Sequence, residues 1–232
     1  MFPIKDTIPH RYTPFVVYFL IAINVFVFII ELSLPYPQRQ LFFYTFGLVP
    51  LKITQNGWDF YSLFTNMFLH GGWFHIISNM WALWIFGDNV EDRMGHFRFF
   101  IFYILCGLAA NIVHYYFNQF APVPVIGASG AIAGVMGAYM IMFPTSRIIT
   151  LIPIFFIPFF FEIPAVIFLF FWFMSQVISG TFTKLFMPPN VGGIAWWAHI
   201  GGFVTGMILH KFFIKKDRYR NFYDDEVLIR YL

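Results

Sequence analysis

The stretch FVVYFLIAINVFVFII, Phe15 to Ile30, runs sixteen residues without a charge. A helix crossing a bilayer needs ~20 predominantly apolar residues, and this run sits at the core of such a segment. Lys5 and Arg11 precede it; Glu31, Pro35 and Pro37 follow it and end a helix. The run is long for the apolar region of a secretory signal, and no small-x-small cleavage pattern follows it. It therefore reads as a first, uncleaved membrane span.

The composition of the 232 residues extends that reading outward. Apolar residues make up 59% and charged residues 11%, whereas soluble domains carry ~25% charged residues. Aromatics reach 23%, with 35 phenylalanines, which suits a surface in contact with lipid. The net charge of +3 comes without a basic stripe in the middle of the chain, so nucleic acid is not an expected partner. Cys106 is the only cysteine, which excludes an intramolecular disulfide.

Five more apolar segments follow. The spans are read at about 14–32, within 64–86, 97–117, 129–143, within 149–178 and 195–214. Pro153, Pro158 and Pro164 interrupt the fifth stretch. Its first half is therefore expected to be an interfacial loop or short helix, and its true span about 162–179. With both termini in the cytoplasm, eleven of the Lys and Arg residues fall on the inside and three (Arg39, Lys52 and Lys184) outside, as the positive-inside rule requires. The expected fold is an all-α polytopic membrane protein: a cytoplasmic segment at 1–13, a six-helix membrane domain at 14–214 and a cytoplasmic tail at 215–232. The connector 33–62 is apolar and aromatic, and reads as a loop lying in the outer membrane interface. No internal repeat supports a transporter.

In such a chain the informative residues are polar ones at depth. Asn24, Asn111 and His114 are isolated and read as interhelical hydrogen-bond partners. Ser129 enters the fourth helix between Gly127 and Gly130. Alone it reads as a helix cap. His199 lies on the sixth helix with Ala198, Gly202 and Gly206 forming a small-residue stripe; alone it reads as a satisfied histidine on a packing face. Gly130, Gly134 and Ala138 form a second stripe. Two such stripes let helices pack backbone to backbone, which would carry Ser129 and His199 towards the contact an activated serine requires. His75 and Asn79, four apart, share one face of the second helix and can donate to a developing oxyanion, or else bond neighbouring helices. His70, five before His75, is expected to face elsewhere. All three clusters fall in the outer half of the bilayer, and mutual contact offsets the cost of burying them.

The motifs Gly127-Ala128-Ser129-Gly130, Ala198-His199 with Gly202 and Gly206, and Phe68-Leu69-His70 through His75 and Asn79-Met80 together resemble the rhomboid family of intramembrane serine proteases, over about 59–211. The stretch Gly87 to Gly95, with Glu91, is similar to that family's loop after the second helix. The resemblance implies a Ser–His dyad without an acidic third member: Ser129 as nucleophile, His199 as base, and His75, Asn79 and the Ser129 amide as the oxyanion hole. It also implies a sideways-lying first loop and a lateral gate at the fifth helix, with Trp172 and Phe173. Some members carry an aromatic four residues after the serine; here that residue is Ala133, and Trp196 or Trp197 is the expected substitute.

The implied activity is endoproteolysis of membrane-spanning protein substrates within the lipid bilayer, without cofactor or metal, in what is expected to be a prokaryotic plasma membrane. Other mechanisms lack their residues. No pair of membrane aspartates exists for an aspartyl protease, and no His-Glu-x-x-His helix for a zinc enzyme. The rival reading is a non-catalytic rhomboid-like protein that binds membrane helices. It would be expected to lack the serine or the histidine.

Overall fold

The computed structural model describes residues 2–57, 59–188 and 194–215. It is mostly helical. Strand β1 (Phe2–Asp6) opens the chain, followed by α1 (Phe15–Ser33), α2 (Tyr36–Phe46), α3 (Pro50–Asn56) and α4 (Ser62–Thr65). Then come α5 (Trp73–Met94), α6 (His96–Phe117), α7 (Ser129–Met142), the hairpin β2 (Arg147–Ile154) and β3 (Ile157–Pro164), α8 (Ala165–Phe186) and α9 (Trp196–Phe213). Three helices among the described residues, α1, α6 and α8, are long and apolar enough to cross a membrane. The α5 and α9 helices are of similar length, with 22 and 18 residues.

The chain is not all-α. Its first residues and the 147–164 stretch form an antiparallel sheet in the order β1-β2-β3. Three prolines forbid a continuous helix there, and the β-branched and aromatic residues between them favour extended backbone. The 2–13 stretch is therefore part of the folded body. Asp6 accepts hydrogen bonds from the Tyr139 hydroxyl at 2.5 Å and the Asn89 amide at 2.8 Å. The Trp81 indole donates to the Pro3 carbonyl. Burial pushes the Asp6 carboxyl up to about 7, against the pull of the Tyr139 hydroxyl and with the Asp88 charge adding to the rise.

Two carboxylates fasten α1. Its N-terminus has no side-chain cap of its own. Instead buried Glu91 accepts from the amides of Val16 and Val17 at 3.0 and 2.8 Å, meeting donors that a helix start leaves open. At the other end Glu31 accepts from the His70 amide at 3.0 Å. The 87–94 stretch continues α5 as helix rather than forming a loop, because Asn89 and Glu91 are buried with partners across the fold. The α5 helix starts at Trp73, directly after Gly71-Gly72 and inside the 64–86 stretch. Asn24 bonds its own helix, at Leu20, rather than a neighbour.

The α7 helix occupies the centre of the bundle, with nearly every residue buried. It packs most extensively against α9 and α6. The connector 33–62 folds into α2, α3 and a short turn, and is pinned near the site by mutual backbone bonds between Leu48 and Val125. The 216–232 part of the expected tail lies outside the described residues.

Candidate active site

The contact between α7 and α9 leaves no room for side chains. A methyl carbon placed at Gly202 would sit 1.9 Å from the Gly130 carbonyl oxygen, and one at Gly206 would sit 1.8 Å from that of Gly134. The stripes thus meet backbone against backbone. At the N-terminal ends of both helices, His199 Nε2 lies 2.8 Å from Ser129 Oγ. Helix α7 has no side-chain cap; the Ser129 hydroxyl faces the imidazole instead.

A third residue, which sequence reading missed, completes this arrangement. Gln176 Oε1 on α8 lies 2.8 Å from His199 Nδ1. The amide nitrogen of Gln176 donates to the Trp172 carbonyl at 3.2 Å and the Ser175 hydroxyl at 2.8 Å. A carbonyl only accepts, so Trp172 fixes which end of the amide is oxygen. An amide oxygen also only accepts, so Nδ1 carries the imidazole proton. Nε2 is then left with a lone pair towards the serine hydroxyl. The available signal was a lone amide in the middle of an otherwise apolar span.

Gly127, before the serine, has φ +127°, a region that glycine alone adopts readily. A side chain there would also collide with His75, whose Nε2 would be 2.7 Å from its Cβ, with Ser129 Oγ 3.7 Å away. His75 and Ser129 thus flank one glycine. The Gly71 amide donates to His75 Nδ1 at 3.4 Å, which leaves Nε2 of the neutral ring as the donor facing this space. Asn79 is buried and gives one amide proton to the His75 carbonyl at 2.9 Å; its second proton remains. The N-terminal amides of α7, Ser129 among them, are the donors any helix start leaves open.

The loop entering the site is braced. The Gly127 amide donates to the Asn66 carbonyl at 2.9 Å. Asn66 and Asn111 exchange reciprocal amide bonds at 3.1 and 2.7 Å, so Asn111 does bond across elements. His70 does not face away from His75: their rings meet edge-on, with centroids 5.0 Å apart. His70 precedes α5, so helical angles do not govern it. It is buried, neither ring nitrogen has a partner, and burial pulls it down to about 3.

Ala133 is buried in α7. Aromatics near His199 come from elsewhere. The Trp172 ring is 5.9 Å away, tilted by 33°, and the Trp196 ring is 6.3 Å away and edge-on. Trp197 instead stacks on Phe117. Phe173 stacks on Phe203 of α9, so Trp172 and Phe173 both lie on the inner side of α8.

Comparison with known proteins places the chain in a family. The family model described as Rhomboid domain matches residues 57–216, a range that holds every site residue above. RHOMBOID-like protein 1 of Arabidopsis thaliana is 28% identical over 176 residues, 76% of this chain and 40% of that protein. Rhomboid protein 1, mitochondrial, of Saccharomyces cerevisiae is 28% identical over 159 residues, 67% of this chain and 42% of that protein. Rhomboid protease GluP of Bacillus subtilis is 37% identical over 95 residues, 41% of this chain and 18% of that protein. The chain spans less than half the length of each of these three relatives. A mitochondrial name and a bacterial source both occur among them, so they do not single out a prokaryotic plasma membrane.

Proposed function

This chain belongs to the rhomboid family, and on that premise we propose that it is a serine endopeptidase cleaving membrane-spanning proteins within the bilayer. The observation that carries the reading is the chain of two 2.8 Å contacts from Gln176 through His199 to Ser129. In this reading six helices, α1 and α5 to α9, cross the membrane with both termini on the cytoplasmic side. Ser129 and His199 then lie towards the outer face.

The chemistry follows from the atoms. His199 Nε2 takes the hydroxyl proton as Ser129 Oγ bonds to the scissile carbonyl carbon. The carbonyl oxygen becomes an oxyanion, met by His75 Nε2–H, the free Asn79 amide proton and the Ser129 backbone N–H. Such preorganised donors supply a large part of catalysis in a dry site. Collapse breaks the C–N bond, and His199 returns the proton to the leaving amine. Water, deprotonated by the same imidazole, then releases the acyl group and restores Ser129. Gln176 is a positioning residue: it holds the productive tautomer without contributing charge. A substrate segment must unwind to reach an oxygen enclosed by helices, which favours cut sites at small residues in easily unwound stretches.

Labelling of the detergent-solubilised protein by a fluorophosphonate probe tests this without a known substrate. The expected result is labelling of the native chain that is lost in Ser129→Ala and in His199→Ala. A folded native chain that neither labels nor cuts a single-span model substrate would overturn the proposal, leaving a non-catalytic protein that binds membrane helices.

A further inference from the structure

The β2–β3 hairpin is apolar in a way that α-helical packing does not use. Phe155 and Phe156 form its two-residue turn, the first 92% exposed and the second wholly so. Phe159, Phe160 and Phe161 are also exposed. Neighbouring strand residues point to opposite faces, so Phe160 lies on one face of the ribbon and Phe159 and Phe161 on the other. Towards its base the ribbon packs on the bundle, with Ile148 and Thr150 buried; towards its tip these phenylalanines would face water.

We infer that this hairpin is an interfacial anchor, lying in the headgroup and upper acyl region of the leaflet at the end of the bundle opposite Ser129. The inference rests on the chain being embedded in a bilayer, not on its being a protease. The placement follows from direction: α7 begins at Ser129 and delivers the chain to the hairpin at its far end.

Continuity names the occupant. β3 passes into α8 at Pro164–Ala165 without a loop. The exposed Val166, Ile167, Phe170 and Phe171 of α8, a helix apolar enough to cross a membrane, extend the hairpin's aromatic surface. One lipid-facing surface therefore runs from α8 onto the ribbon. The turn adds to this. Phe155 and Phe156 have φ of 48° and 66°, positions where tight hairpins prefer Asn and Gly. Bulky aromatics there cost backbone energy that burial in lipid offsets.

The open edge of β3 argues against a protein partner. Pro153 pairs with Pro158, and neither has an N–H, so this is a non-hydrogen-bonded pair. By the alternation of antiparallel ladders, residues 158, 160, 162 and 164 then direct their backbone groups away from β2. Pro158 and Pro164 have no N–H to offer, which blunts the edge against strand addition from a second copy. The groups that remain, the N–H and C=O of Phe160 and Glu162 and the carbonyl of Pro158, need water or headgroups. So does the Arg147–Glu162 ion pair at 3.7 Å. A ribbon that keeps these wet cannot plunge into hydrocarbon; it lies flat at the interface.

The test uses the full chain in vesicles of phosphatidylcholine and phosphatidylglycerol. Cys106, the only cysteine and buried, is replaced by alanine. Phe156→Cys, and separately Phe160→Cys as a second site should the turn variant fold poorly, then carry an environment-sensitive fluorophore. The expected result is blue-shifted emission, strong quenching by a nitroxide high on the acyl chain, weaker quenching by one near the bilayer centre, and little quenching by aqueous iodide. Full iodide access with no lipid quenching would overturn the inference and leave the hairpin in water. Transfer between labelled copies without lipid quenching would also overturn it, in favour of a second chain. Fluorophosphonate labelling of the same vesicles reads the protease proposal separately.

Discussion

Replacing Gln176 by leucine removes the acceptor for His199 Nδ1–H while nearly conserving volume. The donor left behind is buried, and a buried donor without a partner costs ~1–3 kcal/mol. As Ser129 is deprotonated the ring becomes an imidazolium, and hydrogen bonds from charged donors are worth ~1.5–3 kcal/mol. The loss therefore falls on the transition state. At ~1.4 kcal/mol per decade of rate, kcat should drop about 10- to 100-fold. KM should hold, because Gln176 faces the imidazole and its own helix rather than the space beside Ser129. The assay is cleavage of a single-span substrate in proteoliposomes, paired with the rate of fluorophosphonate inactivation, which should fall by a similar factor. Gln176→Glu keeps an oxygen acceptor at the same reach but sets its second oxygen against the Trp172 carbonyl, so it should recover only part of the rate. A role confined to packing would instead show a raised KM and a lowered melting temperature. A folded Gln176→Leu protein with native kcat and native inactivation rate would refute the positioning argument.

Three further outcomes follow from the packing and the charges. Gly206→Ala puts a carbon 1.8 Å from the Gly134 carbonyl oxygen and should destabilise by about 3 kcal/mol or more. Gly72→Ala, with nothing within 4 Å, should stay within about 0.5 kcal/mol; thermal unfolding of both reads the difference. Glu91→Ala strips the acceptor from the Val16 and Val17 amides and should cost roughly 2–4 kcal/mol, with protease sensitivity rising first around α1. The Asp6 carboxyl, raised from 3.8 to about 7, binds its proton more tightly folded than unfolded. Its contribution is complete below the unfolded value and is lost as pH rises from there through about 7, on the order of 4 kcal/mol in all. Melting temperatures at pH 5 and pH 8 should therefore differ, and Asp6→Asn should flatten the dependence.

How much of this was legible in the sequence depends on the range of each cause. The GASG and AHIGG segments announce their geometry because small residues at spacing four have one strong use in lipid, the close approach of helices. The contact of Gly202 with Gly130 is that use. The helix limits around residues 15–33, 96–117 and 129–142 followed from apolar length and flanking breakers. What stayed hidden depended on partners far along the chain. Glu91 sits in a helix rather than a loop because α1, some 75 residues earlier, needs its carboxylate. At the hairpin three prolines exclude helix continuity without saying what replaces it, so the residues alone imply a loop or short helix; strand pairing with Phe2–Asp6 supplies the answer. Helical angles do not carry back to His70, because two glycines separate it from the start of α5 at Trp73. Gln176 is the most instructive miss. A search for an acidic third residue passes over a neutral amide, yet an amide oxygen can fix the imidazole tautomer without placing a charge in a low-dielectric interior, where an unpaired carboxylate would be far costlier to bury. The same environment that excludes an aspartate therefore favours a glutamine.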